Sequence, residues 1–201
     1  MLRRFIVLDM DRTLLNTEHY GELLMDAFGL SDAERKRVRV LLAKNTGSNF
    51  DLLAHVSEGR SVSVDQVKES MLKKSKETLE KLLLPGVRDL FQVLKETRDA
   101  HGILTTGTPE NQSLKLALLR HVLGESEVSL PAEITSVLNK SATFALDHWR
   151  PRQKAFYIGP VLSGVRGGCY ASRLIMVDDK HGNLSTPHVQ IVALHVPVTP
   201  S

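Results

Sequence analysis

Two aspartates near the start of the chain are the residues best suited to chemistry. Asp9 and Asp11 follow the apolar run 5–8, which contains β-branched residues and is typical of a buried parallel strand. In an open α/β sheet, ligands bind outside the carboxyl ends of the strands. Two anions in one crevice repel each other unless a cation or a proton lies between them. Mg²⁺ prefers carboxylate oxygens and is often shared with a substrate phosphate, so this pair indicates phosphate chemistry.

A second acidic pair stands at the end of another apolar run. Residues 174–177 are followed directly by Asp178 and Asp179, and Lys180 comes next. Taken alone, such a segment is also compatible with a solvated turn. Two strands that both end in carboxylates within one α/β chain favour a shared site, because the carboxyl ends of parallel strands lie at one edge of the sheet.

The segment from Asp9 to Thr13 has the pattern Asp-x-Asp-x-Thr, which resembles the first motif of the haloacid dehalogenase superfamily, most of whose members are phosphatases. The resemblance implies that Asp9 is a nucleophile that forms an aspartyl-phosphate, and that Asp11 is the general acid and base. The family usually has Gly where this chain has Arg12, and this departure affects the loop beside the nucleophile. The alternative is that both acids only cap the following helix.

Further residues match the superfamily by their position. The predicted strand 102–105 ends in Thr105, which by resemblance donates a hydrogen bond to a phosphoryl oxygen, helped by the turn at Thr106 and Gly107. A helix is predicted after this turn, over 110–123, and Pro109 opens it.

The family also has a lysine that neutralises the phosphate, and two lysines compete for that role. Lys140 follows the predicted strand 134–138 and starts the next helix, with Ser141 as its cap. Lys154 stands closer to the last motif, but Gly159 and Pro160 would break a helix begun there. A third possibility is that both are ordinary surface lysines.

The fourth motif of the family ends a strand in acidic residues, as the run before Asp178 does. By resemblance Asp178 is a direct Mg²⁺ ligand, and Asp179 acts through a water or orients one, with support from Asn183. Asp9, the backbone carbonyl of Asp11 and Asp178 then leave the other octahedral positions for waters and a substrate oxygen.

Periodicity places these residues on an α/β framework. Residues 17–84 show helical patterns and no convincing strand, whereas the rest of the chain alternates between strands and helices. Strands are predicted near 5–8, 102–105, 134–138, 174–177 and 189–196, and helices near 22–28, 35–43, 49–56, 63–84, 87–95 and 110–123.

The predicted fold is a Rossmann-like, doubly wound parallel sheet with an inserted helical cap. Residues 1–16 and 85–201 form the α/β core, and residues 17–84 form the α-helical cap. The resemblance puts the first strand at the centre of the sheet. It also implies that the cap closes over the site and selects the substrate, excluding water.

Composition restricts the function classes. The chain has 201 residues, 42% of them hydrophobic, and a single cysteine, Cys169, which fits a reducing compartment. The first strand starts too early to leave room for a signal peptide, and no apolar run approaches ~20 residues, so we expect a cytoplasmic protein without a membrane span. The net charge is +3, but 17–84 holds equal numbers of acidic and basic residues and aromatics make up only 5%, which argues against nucleic acid.

The expected reaction is the Mg²⁺-dependent hydrolysis of a small phosphorylated metabolite through an aspartyl-phosphate on Asp9. A phosphotransferase or phosphomutase would use the same motifs and differ in the acceptor of the phosphoryl group. A non-catalytic binding domain that keeps the fold is the alternative from another class. The predicted cap favours a small substrate over a phosphoprotein, because a lid hinders large substrates.

Overall fold

The computed structural model describes residues 4–44, 51–97, 100–103, 105, 108–124, 173–178 and 191–195. Four strands pair in parallel in the order β2-β1-β3-β4. Their bounds are β1 Arg4–Leu8, β2 Ala100–Ile103, β3 Arg173–Asp178 and β4 Ile191–His195. The first strand therefore lies between two others, with the carboxyl ends of all four at one edge.

The strand predictions lie close to these bounds, with one shift that matters for the site. The strand predicted over 102–105 lies over Ala100–Ile103, so Thr105 follows the strand and does not end it. The prediction over 134–138 falls outside the described residues. The doubly wound arrangement and the division into core and cap stay predictions.

Helices occupy most of the chain between β1 and β2. Within the described parts of this segment, five of them precede residue 84 and another leads into β2: α1 Thr17–Ala27, α2 Asp32–Lys44, α3 Leu52–Ser57, α4 Val64–Leu72, α5 Lys76–Glu80 and α6 Val87–Thr97. The seventh, α7 Pro109–Leu123, follows β2. No helix within the described ranges combines the length and the apolar character that crossing a membrane requires.

The long helix predicted over 63–84 is wrong. Helix α4 starts with the capping box of Ser63 and Gln66, but it ends at Leu72. The side chain of Ser75 then accepts a hydrogen bond from the backbone N–H of Thr78 at 3.3 Å and starts α5. Serine competes in this way for backbone groups and favours helix starts over helix interiors. The helical periodicity of the apolar residues continues across the break between α4 and α5, so the pattern alone does not predict the break.

The buried core joins the end of β1 to the helices. Helix α7 packs against α4, α5 and α3, and α1 packs against α4 and α3. The side chains without measurable exposure come from the end of β1 and the loop after it, from α1, α4 and α7, and from the turn after α5, and they include Leu8, Leu24, Met71, Leu82 and Leu118. This packing fixes α7 beside the carboxyl end of β1.

Candidate functional site

Three of the predicted site residues stand at the carboxyl edge of the sheet. Asp9 follows β1 directly and is 4% exposed. The preceding residue, Leu8, pairs with Ile103 of β2 on one side and Val177 of β3 on the other. Asp178, the last residue of β3, thus stands next to Asp9 in register, and Thr105 comes two residues after Ile103. The sheet therefore brings Asp9, Thr105 and Asp178 to neighbouring positions.

The loop after Asp9 is a tight turn. The backbone carbonyl of Met10 accepts hydrogen bonds from the N–H groups of Leu14 at 3.0 Å and Leu15 at 2.9 Å. Backbone bonds also tie the loop to the end of the helical segment, from Asn16 N–H to the carbonyl of Leu82 at 2.8 Å and from Leu84 N–H to the carbonyl of Leu14 at 3.1 Å. The helical segment therefore begins and ends close together, beside the loop that follows β1.

Arg12 lies in the left-handed region of this turn, with φ of 60°, and it is the one non-glycine residue with positive φ among those described. Glycine adopts this conformation at no steric cost, whereas arginine carries a Cβ that the left-handed region disfavours. The Arg12 side chain forms an exposed ion pair with Glu18 at 3.4 Å, and such pairs contribute little to stability.

We expect Arg12→Gly to be more stable than Arg12→Ala by about 1 kcal/mol, because a Cβ costs roughly 1–2 kcal/mol in this region and Gly loses part of that gain to backbone entropy. Both variants lose the same ion pair, so each is the control of the other. Urea unfolding monitored by circular dichroism gives the two free energies. An alanine variant as stable as the glycine variant would contradict the assignment of strain to position 12.

A buried lysine holds the side chain of Asp11. Lys115 Nζ donates to Asp11 Oδ1 at 2.7 Å and to Oδ2 at 2.9 Å, and the lysine side chain is only 7% exposed. The hydroxyl of Thr17 donates to Asp11 Oδ1 at 3.2 Å. Hydrogen bonds between ionised partners are about twice as strong as those between neutral groups, so the carboxylate is well fixed.

The first turns of α7 carry a buried polar face. Asn111, Gln112 and Lys115 are each less than a tenth exposed. Asn111 Oδ1 accepts a hydrogen bond from the Tyr20 hydroxyl at 2.5 Å, and Gln112 Oε1 accepts one from the Thr105 hydroxyl at 3.1 Å. With the pair of Lys115 and Asp11, each polar residue of this face binds a side chain from another part of the site.

Tyr20 joins α1 to this polar face. Burial raises the pKa of the Tyr20 phenol far above its usual range, and the negative charges of Asp11 and Asp51 add to the rise. The phenol therefore stays neutral and acts as a donor to Asn111. Lys115 Nζ also lies 5.3 Å from the centre of the Tyr20 ring, a cation–π contact.

A second link between the helices and the loop after β2 runs through Asp51. This carboxylate caps α3 by accepting from Ala54 N–H at 3.1 Å, and it also accepts a hydrogen bond from the hydroxyl of Thr108, the residue before α7. Because Thr108 precedes α7 by one residue, this bond holds the start of α3 beside the start of α7.

Thr13, the last residue of the Asp-x-Asp-x-Thr pattern, is 5% exposed. Within the described part of the chain its hydroxyl has no hydrogen-bond partner. A buried polar group without a protein partner needs a water, an ion or a ligand. The turn after β1 thus has unused hydrogen-bonding capacity next to Asp9 and Asp11.

The oxygen donors at this edge suit a hard divalent cation. Among the side chains that the structure describes, no group of three or more His, Cys, Asp or Glu residues forms a ligand cluster. Asp9 and the turn after it supply carboxylate and carbonyl oxygens, and Asp178 stands beside Asp9 in register. Mg²⁺ is usually bound by one or two carboxylates together with waters and substrate phosphate, which this set can provide.

The remaining predicted site residues lie outside the described ranges: Thr106, Gly107, Lys140, Lys154, Asp179 and Asn183. Their roles stay predictions.

Sequence reasoning missed Lys115, Tyr20 and Asn111. The available signal was the placement of Asn111, Gln112 and Lys115 within the first two turns of a helix whose later residues are mostly apolar. Residues four apart lie on one face of a helix, so Asn111 and Lys115 had to point the same way. Their partners come from α1 and from the turn after β1, and nothing in the local pattern names them.

The chain is similar to several solved structures. A haloacid dehalogenase-like hydrolase from Burkholderia xenovorans LB400 is 19% identical with a TM-score of 0.50, and the match covers 90% of this chain and 74% of that one. CbbY from Rhodobacter sphaeroides, solved in complex with phosphate, is 16% identical with a TM-score of 0.45, covering 92% of this chain and 80% of that one. No protein-family model and no curated protein matches. The similarity to the Burkholderia xenovorans structure shows that this chain has the same kind of fold.

Proposed function

We propose that this chain, which has the haloacid dehalogenase-like fold, is a Mg²⁺-dependent hydrolase of a small phosphomonoester. One observation carries the proposal. Asp9 is buried at the carboxyl end of a strand that lies between two others, and two residues later the carboxylate of Asp11 is held by Lys115. A nucleophile and an acid/base on one short turn are what phosphoryl transfer through an aspartyl-phosphate needs.

In the first step, a carboxylate oxygen of Asp9 attacks phosphorus and the bond to the ester oxygen breaks. Asp11 in its acid form gives a proton to that leaving oxygen, so the alcohol departs neutral. In the second step, Asp11 takes a proton from a water that attacks the aspartyl-phosphate. Orthophosphate leaves and the carboxylate of Asp9 is restored. Acid–base assistance of this kind contributes typically ~10²–10⁴-fold in rate.

Asp9, the backbone carbonyl of Asp11 and Asp178 are the residues that would hold Mg²⁺, with Asp179 acting through a water. The ion would neutralise the charge of the phosphoryl oxygens and of Asp9. Thr105 would donate to a phosphoryl oxygen, helped by the backbone of Thr106 and Gly107, by turning its hydroxyl proton away from Gln112 Oε1, which accepts it at 3.1 Å in the structure. Lys140 or Lys154 would complete the neutralisation of the phosphate.

The helical segment 17–84 serves as the cap in this proposal, and residues 1–16 and 85–201 serve as the core. Support comes from the contacts of the segment with the start of α7, where Tyr20 binds Asn111 and Asp51 binds Thr108. A lid held so close to the catalytic edge favours a small phosphorylated metabolite. We expect no role for nucleic acid or membrane, and cytoplasmic action.

The test is the release of orthophosphate from a panel of small phosphomonoesters, with Mg²⁺ and with EDTA. We expect turnover with Mg²⁺, a loss of at least ~100-fold in EDTA because the phosphoryl charge is then not neutralised, and recovery when Mg²⁺ is returned in excess. Equal rates with and without EDTA would contradict the metal dependence. Transfer of the phosphoryl group to an added alcohol without release of orthophosphate would favour the phosphotransferase. Absence of both turnover and Mg²⁺ binding would favour the binding domain.

A further inference from the structure

The contact between Lys115 and Asp11 uses both oxygens of the carboxylate. The ammonium group of Lys115 lies within hydrogen-bond distance of both oxygens, 2.7 Å from Oδ1 and 2.9 Å from Oδ2. Together with the hydrogen bond from the Thr17 hydroxyl at 3.2 Å, this contact restricts the rotation of the Asp11 side chain. Asp11 therefore has one preferred orientation even though its side chain is 31% exposed.

Lys115 is in turn held by its neighbours. Its side chain is 7% exposed, and Nζ lies over the Tyr20 ring. Tyr20 is fixed at its other end by the hydrogen bond to Asn111, which stands four residues before Lys115 on the same face of α7. The ring therefore bridges α1 and α7 and limits where the ammonium group can go.

Stability is a poor explanation for this arrangement. Removing the ammonium group of Lys115 from water is costly, and apolar residues of similar volume are often as stabilising as a buried ion pair. The pair of Lys115 and Asp11 is better explained by the orientation that the lysine gives to the carboxylate.

We propose that Lys115 is the positioning residue of Asp11 and aims its carboxylate at the oxygen of the leaving group. This inference rests on the proposed function, because it assigns Asp11 the acid/base role. Lys115 acts through Asp11 and has no contact with the substrate in this proposal. Its loss should therefore impair proton transfer and leave the binding of phosphate intact.

The experiment compares two phosphomonoesters that differ in their need for a proton. A simple alkyl phosphate has a poor leaving group that requires the acid, whereas p-nitrophenyl phosphate has a good leaving group that does not. The value of kcat/KM reports the step in which the oxygen of the leaving group departs from phosphorus. For Lys115→Met we expect a loss of about 100-fold on the alkyl phosphate, the lower end for a misplaced acid, and a loss at least about tenfold smaller on the aryl phosphate.

The second readout is the inhibition constant of orthophosphate as a competitive inhibitor. It should change by less than about threefold, because no contact with the phosphate is lost. Lys68→Met, a change of the same type at an exposed position of α4, is the matched control and should leave both substrates unaffected. Where the methionine variant does not fold, Lys115→Gln provides the same comparison with a neutral polar side chain that suits the polar face of α7.

The outcomes separate the two proposals. Equal losses on the alkyl and aryl substrates would overturn the positioning role, and so would a marked weakening of inhibition by orthophosphate. Each of these results leaves the proposed function standing, since wild type still hydrolyses phosphomonoesters. A wild type that hydrolyses neither substrate in Mg²⁺ contradicts the proposed function itself, and the role of Lys115 falls with it.

Discussion

Asp9→Asn is expected to lower the turnover of any phosphomonoester by at least ~10³-fold, because an amide cannot form the covalent intermediate and loss of a nucleophile removes most of the catalysed rate. Asparagine has nearly the same shape as aspartate, so the loss should arise in the chemical step. Orthophosphate release under saturating substrate and Mg²⁺ measures it.

The matched control is Asp65→Asn, the same replacement at an exposed position in the first turn of α4, which should retain full activity. Thermal unfolding of the Asp9→Asn variant should show an intact fold. Retention of more than about a tenth of the wild-type rate would rule out the nucleophilic role of Asp9, since a true nucleophile contributes far more.

Leu118→Ala is expected to have the largest effect on stability. Leu118 lies on α7 and has no exposed surface, so its truncation removes buried apolar contacts and leaves a cavity. Such changes cost ~2–5 kcal/mol, which corresponds to a fall in Tm of roughly 4–20 °C in a chain of this length. Differential scanning calorimetry measures the shift.

Val93→Ala on α6 is the control for this prediction. Val93 is 52% exposed, and surface substitutions of this kind usually change stability by less than about 0.5 kcal/mol. Similar shifts for the two variants would mean that α7 is not packed into the core as described. The polar face of α7, which contacts Asp11 and Thr105, would then not be held in a fixed position by the core.

Strands β1, β3 and β4 could be predicted because each contains a short apolar run that is followed by a polar residue. The run before Asp9 and the run before Asp178 place both aspartates correctly at the carboxyl ends of neighbouring strands. The sequence also indicated the helical nature of most of residues 17–84. The shift of β2 by two residues was missed because Gly102 to Thr105 is as suitable for a strand as Ala100 to Ile103.

The contacts that complete the site could not be predicted from local patterns. Lys115 and Asp11 stand 104 residues apart in the chain, and Tyr20 and Asn111 stand 91 apart. Propensity and periodicity concern neighbours within a few turns, so they give the helix of Lys115 and its polar face but not the partner. The break at Ser75 was missed for the opposite reason, because one local hydrogen bond outweighed a regular apolar pattern.

The parallel pairing of β1 with β3 also sets an order of events during synthesis. Residues 4–8 are made well before their partner strand, Arg173–Asp178, which lies more than 160 residues later in the chain. Until then β1 can pair with β2 on one side, and its other edge keeps unpaired backbone groups that invite association with other chains. The strand that precedes the proposed nucleophile is therefore paired on both edges only after Arg173–Asp178 has been made, and Asp9 and Asp178 reach neighbouring positions only then.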